Sequence, residues 1–171
     1  MYRNFKIVKV NSDYCDYLRK YDNKVSYNAG LKDLRPFVGI LFVINDKEYF
    51  APLSSPKAKH KLLKNTIDLI KIKDGKYGVI NFNNMIPVKS NNYEEFDLNK
   101  KTNDKKEKYR IDLMSNQLRW LTFNKKEIYT KSKLLYDLYI NDKLPKSVKN
   151  RCCNFSLLEQ ICEEYNKVIN S

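Results

Sequence analysis

Between Pro36 and Leu53 the chain reads PFVGILFVI, then Asn-Asp, then KEYFAPL. The first run is almost wholly apolar and rich in β-branched and aromatic residues, the composition of a strand with little exposure to water. Asn45-Asp46 is a pair that tolerates a left-handed backbone, so the run over Pro36–Ile44 is expected to turn there and return as a hairpin partner over Glu48–Leu53. A central hairpin of this kind constrains the rest of the chain to cover it. Its far end is unusual. After Leu53 come Ser54, Ser55, Pro56, Lys57, Lys59, His60 and Lys61, so hydroxyls, ammonium groups and the chain's single histidine crowd the end of a buried strand.

Other segments supply the cover. Tyr2–Val10 alternates as a first strand, and Asn11, Ser12 and Asp13 offer capping oxygens to a short helix bearing Tyr14, Tyr17, Leu18 and Tyr21. Asp22–Arg35 lacks periodicity and is expected to be a loop. Ile67–Lys73 and Tyr77–Phe82 flank a turn at Asp74-Gly75 as a second hairpin. The short MIPVK strand that follows holds Pro87, which places it at an edge or bulge. The charged stretch Lys100–Lys108 reads as solvated. From Tyr109 onward, Ile111, Leu113, Met114, Leu118, Trp120 and Leu121 fit a long helix, Lys125–Tyr139 a second, and Phe155–Val168 a last one capped by Asn154 or Ser156. Strands early and helices late give an α+β chain with a mostly antiparallel sheet. Residues 1–171 are expected to form one domain.

Thirty-three lysines and arginines oppose twenty acids, a formal charge of +13 spread along the whole chain. A basic body attracts polyanions through counterion release, and nucleic acid is the expected partner; charge kept for solubility is the plain alternative. No apolar run approaches bilayer length and the first residues lack a signal-peptide block, so no membrane association and a cytoplasmic location are expected. Cys15, Cys152, Cys153 and Cys162 form no C-x-x-C pair, which fits reduced structural thiols.

Three chemistries compete. The carboxylates are scattered over caps and turns, and the small cluster Glu94, Glu95 and Asp97 runs into lysines, so no metal site is expected. Four glycines cannot make a phosphate-binding glycine-rich loop, so no nucleotide cofactor is expected. The segment after β-like residues Tyr49–Leu53 offers the third. RNA carries its own nucleophile, the 2′-hydroxyl. Cleavage then needs groups to orient it, cations for the phosphorane and a proton for the leaving oxygen. Ser54 and Ser55 can bind the phosphate or the 2′-hydroxyl, Lys57 can hold charge, and His60 is the one side chain whose unperturbed pKa lies near neutrality. Residue types alone fit a strand-ending turn with surface lysines better, and a lone histidine is more often a surface residue.

The string YFAPLSSPK followed by His60 resembles the corresponding segment of the ToxN/AbiQ endoribonuclease toxins of type III toxin–antitoxin and phage abortive-infection systems. VNSDYCDYLRKYDNKV, RPFVGILFVIND, YGVINFNNMIPV and CNFSLLE resemble further blocks of that family, in the same order along most of the chain. The resemblance implies a compact, twisted antiparallel sheet with flanking helices akin to the Kid and MazF toxins. It implies metal-independent RNA cleavage leaving a 2′,3′-cyclic phosphate and a 5′-hydroxyl, with no cofactor. The implied partner is a repeat-derived antitoxin RNA pseudoknot, which the toxin processes and with which it closes into a heteromeric assembly. By matching position the resemblance assigns the active site to Ser55, Ser54, Lys57, Arg35 and Tyr14, with His60 as a further candidate. It places Tyr27 beside the RNA, and Lys59, Lys61 and Lys64 are expected to track the RNA backbone. The alternative is a basic RNA-binding module without a reaction.

Overall fold

The computed structural model describes residues 4–26, 35–169 and 171. Residues 27–34 of the expected Asp22–Arg35 loop, Tyr27 with them, and the first residues of the expected N-terminal strand lie outside them. The described residues form eight strands and six helices: β1 (Lys6–Val10), α1 (Ser12–Arg19), β2 (Phe37–Gly39), β3 (Val43–Ile44), β4 (Lys47–Ser54), α2 (Ala58–Leu62), β5 (Leu69–Lys71), β6 (Val79–Asn81), β7 (Ile86–Val88), β8 (Tyr93–Glu95), α3 (Lys105–Phe123), α4 (Lys125–Ile140), α5 (Lys146–Lys149) and α6 (Phe155–Ile169). Every strand pairing among them is antiparallel, as expected from strands preceding helices.

Strand β4 is the hub. Its first half pairs with β3 and β7, and its second half with β2 and β6, within the order β5-β6-β4-β2-β1-β8. A proline inside such a strand is unusual because it cannot donate to a ladder. Pro52 is tolerated by register. On the β2 side the donor is Leu53, whose N–H reaches Pro36 O at 2.9 Å. On the other side Pro52 falls between the two ladders, after Phe50↔Ile86 and before Leu53↔Ile80, where a 3-10 turn over Phe82–Asn84 separates β6 from β7.

The hairpin between β3 and β4 turns at Asn45 and Asp46, both with positive φ (45° and 64°), the backbone that a two-residue hairpin of matching twist requires. The strand before it is not continuous as expected. It breaks after Gly39, and Leu41 and Phe42 together face Tyr49: Leu41 N–H donates to Tyr49 O and Tyr49 N–H to Phe42 O, each at 3.0 Å. Two residues opposite one make a bulge, which bends the strand and re-aims its side chains. Gly39 is required beside it, since a Cβ there would lie 2.1 Å from the Phe50 ring.

The helices close over the sheet. Buried Val8, Val10, Phe37, Val38, Phe50, Leu53 and Ile80 join side chains of α1, α3, α4 and α6 in one apolar cluster. An aromatic group of Phe42, Tyr49, Tyr136, Tyr139 and Phe155 fills the contact of β4 with α4 and α6. Its polar tips are satisfied, because Tyr49 and Tyr136 both donate their hydroxyls to Glu159 Oε1 (2.5 and 2.7 Å). Burial and that carboxylate push both phenols above their ordinary range. The four cysteines are buried free thiols, matching the expectation of structural cysteines; burial pushes Cys152 up to about 11.

A Gly39→Ala protein is expected to lose about 2 kcal/mol or more of stability, because the added methyl must displace a core phenyl ring. A lowered urea midpoint at unchanged m-value is the check.

Candidate active site

Where β4 ends, the backbone is pinned from two sides. Gly78, at φ +93°, lies so close that a Cβ on it would stand 1.8 Å from Ser54 O. Only a residue without a side chain lets the turn before β6 press on the Ser54-Ser55 peptide. From the other side His60, at the third position of α2, accepts the Lys57 N–H on its Nδ1 at 3.2 Å. Its ring is 2 % exposed, so the expectation of a surface histidine is corrected: the side chain is an anchor for the loop that carries Lys57. Burial, then the charges of Lys57 and Lys59, hold His60 below its ordinary pKa.

Ser54 is oriented by a residue that sequence patterning missed. Asn81, on β6, donates its side-chain amide to Ser54 Oγ at 2.9 Å, which leaves the hydroxyl proton of Ser54 for another acceptor. The sequence signal for Asn81 was slight, a polar residue at the end of an apolar strand.

Around this corner lies a cleft of about 370 Å³. Arg35, Ser54, Ser55 and Lys57 line one side of it, and the α3 residues Lys106, Tyr109, Arg110, Leu113, Met114 and Gln117 line the other. The α3 residues recur at spacings of three and four, so they form one stripe of that helix. Among the described residues four cations line the cleft and no carboxylate does. Arg35 is half-buried, and burial lowers its affinity for its proton, though a guanidinium stays charged. Arg110 lies over the Phe96 ring, 5.1 Å from its centroid. Such a field, with adjacent hydroxyl donors, suits a phosphodiester. A second concavity, lined by Lys9, Asp13, Glu94 and five neutral polar or aromatic residues, has mixed charge and no such bias.

Ser54, Ser55, Lys57 and Arg35 thus come together. Tyr14 does not. Its side chain is fully buried, its hydroxyl donates to Pro87 O at 2.5 Å, and its ring packs on Tyr165 with centroids 5.0 Å apart. Burial raises its pKa well above the ordinary phenol range, so the catalytic assignment of Tyr14 is replaced by a core role. Lys59, Lys61 and Lys64 are exposed on α2 and just beyond it, outside the lining of the cleft. Among the described residues no helix is long and apolar enough to cross a membrane.

A basic α+β protein with a hydroxyl-and-cation corner at the end of its central strand is a phosphodiester-directed protein in outline, and comparison with known proteins narrows it. The model of the family "Toxin ToxN, type III toxin-antitoxin system" matches residues 6–163. The chain is 33% identical to endoribonuclease ToxN of Bacillus thuringiensis subsp. kurstaki over 96% of its length and 86% of that protein's. It is 30% identical to endoribonuclease AbiQ of Lactococcus lactis subsp. lactis over 92% of its length and 87% of that protein's. Among solved structures, a toxin described as selectively inhibited by a non-coding RNA pseudoknot superposes with a TM-score of 0.81 at 33% identity, covering 96% of this chain and 99% of that one. The anti-phage endoribonuclease AbiQ superposes equally well at 26% identity, with the same coverage of both chains. The chain belongs to the ToxN toxin family.

If His60 is an anchor, His60→Asn, which keeps an acceptor near the Nδ1 position, should retain most activity, whereas His60→Leu should lose it together with loop order. The depressed pKa also fixes a pH sign. The unfolded chain takes up the His60 proton first, so this contribution to stability is complete above about pH 6.5 and declines as pH falls from there through the lower folded-state pKa. Denaturation midpoints measured across that window should slope in the parent protein and flatten in His60→Asn.

Proposed function

We propose that this chain is an endoribonuclease toxin that cuts RNA at the Ser54–Lys57 corner, using the RNA's own 2′-hydroxyl and no metal ion. Membership of the ToxN family supports the activity, since relatives at 30% identity or more over nearly the whole chain are endoribonucleases. The observation that carries the site is the cleft itself, in which Ser54, Ser55, Lys57 and Arg35 meet the Lys106 and Arg110 cations.

In the reaction the 2′-oxygen forms a bond to phosphorus while the bond from phosphorus to the 5′-oxygen breaks. A 2′,3′-cyclic phosphate and a 5′-hydroxyl result. Ser54, with its oxygen held by Asn81, and Ser55 donate to the non-bridging oxygens. Lys57 and Arg35 neutralise the phosphorane, and the Lys57 ammonium supplies the proton for the leaving 5′-oxygen. The 2′-hydroxyl proton leaves to solvent. His60 is buried with its Nδ1 engaged and Tyr14 is in the core, so neither moves a proton. Preorganised donors of this kind contribute about 10²–10³-fold each when removed singly.

The inhibitor is an RNA of the same chemistry as the substrate. One solved relative is described as inhibited by a non-coding RNA pseudoknot, and another as part of an antiviral system regulated by a processed non-coding RNA. The present chain is taken to process and bind such an antitoxin, closing into a heteromeric protein–RNA assembly. The exposed Lys59, Lys61 and Lys64 beside the corner, and Tyr27 before it, contact the RNA backbone and bases, and the whole chain acts in the cytoplasm as one domain, where phage and host transcripts are. An exposed ring at the mouth, Tyr109, is suited to stacking on a splayed base.

Purified protein is expected to cleave RNA undiminished in EDTA and to leave cyclic phosphate ends. Ser55→Ala and Lys57→Gln should each fall at least about 10²-fold in single-turnover rate with native thermal stability. Cells that the parent chain arrests should tolerate Ser55→Ala. Cleavage only with added magnesium, or full activity of Ser55→Ala, overturns the proposal.

A further inference from the structure

The side of the cleft made by α3 contains a polar group with unfinished hydrogen bonding. Gln117 is 1 % exposed. Its Nε2 donates to Tyr77 O at 2.9 Å, which fixes which end of the amide is the donor. That Oε1 is buried and has no hydrogen-bond partner among the described residues. An amide oxygen removed from water without a partner is unfavourable, and buried polar atoms in folded proteins are nearly always satisfied. The residue lines the same cleft as Ser54, Ser55, Lys57 and Arg35. Its other end is tied to Tyr77, the neighbour of Gly78, which presses on Ser54 O. Gln117 is therefore held in rigid relation to the reacting corner.

We infer that Gln117 Oε1 is an RNA-reading acceptor, which takes a hydrogen bond from a donor on the nucleotide beside the cleaved bond and so sets where the chain cuts. The inference rests on the proposed RNA-cleaving role of the cleft. Only a donor satisfies Oε1, so a phosphate oxygen is excluded as its partner. Two donors of a nucleotide qualify, an N–H on a base edge and the ribose 2′-hydroxyl. The surroundings favour the base. Tyr109, two turns earlier on the same stripe of α3, is 64 % exposed and presents a ring on which a base can stack, while Leu113 and Met114 between them give an apolar floor. A base stacked there lies on the stripe of α3 that leads to Gln117. Serine and lysine side chains hold phosphate whatever the sequence; a fixed buried acceptor separates bases that offer N–H from those that do not.

The test uses the full-length protein and an RNA pool randomised at the positions flanking each cut. Cut sites are read by sequencing and single-turnover rates measured on the preferred substrate. Gln117→Met keeps the side chain's volume and removes the acceptor. It is expected to flatten the base preference at one position, the preferred base losing about tenfold or more over its competitors, while cutting continues. Gln117→Glu, protonated in its buried site at low pH, keeps both the donor to Tyr77 and an acceptor. It should hold the preference at low pH; ionisation removes only the donor to Tyr77 O and leaves an acceptor in place. If base preference stays and the ratio of RNA to DNA binding falls in Gln117→Met, the acceptor serves the 2′-hydroxyl instead. If both are unchanged in Gln117→Met, folded by its thermal transition, the inference is wrong. Ser55→Ala assayed in parallel separates this from the underlying reading: an active Ser55→Ala removes the cleft's role altogether, whereas an inactive one beside an unaltered Gln117→Met removes only the inference.

Discussion

Strand β4 is hydrogen-bonded along both edges by four other strands, and it stops at Ser54. That constraint governs the rest of the molecule. A strand clamped on both edges has almost no freedom at its end, so the peptide that follows is delivered to one place. Gly78 closes against it from the β6 side, and His60 fixes the next turn through the Lys57 N–H. Catalysis by charge and orientation needs little motion at the moment of reaction, because donors that must first reorganise return part of what they contribute. A strand held on both edges is therefore a physically sensible support for the serines and lysine at its end.

The second wall comes from far along the chain. Helix α3 brings Lys106, Tyr109, Arg110 and Gln117 opposite the corner, and the Gln117–Tyr77 bond ties that helix to the turn that supports Ser54. On the proposed reading the cleft combines a sequence-blind part, serines and cations for the phosphate, with an apolar floor, an exposed ring and a buried amide for the base. One surface can in this way hold a substrate to be cut and an RNA that stays in place after cutting.

Much of this was legible before any coordinates. Asn45-Asp46 announced its hairpin because few residue pairs accept two successive positive φ values, and the late helices announced themselves by apolar spacing. The serines and lysine were visible as a collection and became a candidate site only through family resemblance, since the same letters spell an ordinary turn. What stayed hidden has physical reasons. The break at Gly39 lies in a run buried throughout, where alternation carries no register, so the bulge at Leu41 and Phe42 left no mark. Tyr14 has the spacing of a core residue and the chemistry of a catalyst, and burial decided for the core. His60 could not be recognised as an anchor, because its partner is a backbone N–H. Lys106 sat in a charged stretch that reads as solvated, and Arg110 among the polar positions of the helix expected after it. Helical periodicity assigns such residues to the outer face; it does not say that the outer face of α3 is the inner wall of a cleft.

The most direct test of the central claim is a crystal structure with an RNA made uncleavable by a single 2′-deoxy substitution at the cut. The account predicts the scissile phosphate within hydrogen-bond distance of Ser55 Oγ and Lys57 Nζ, with Arg35 on the same phosphate or its neighbour. An RNA that runs only over Lys59, Lys61 and Lys64 and leaves the corner empty would contradict it.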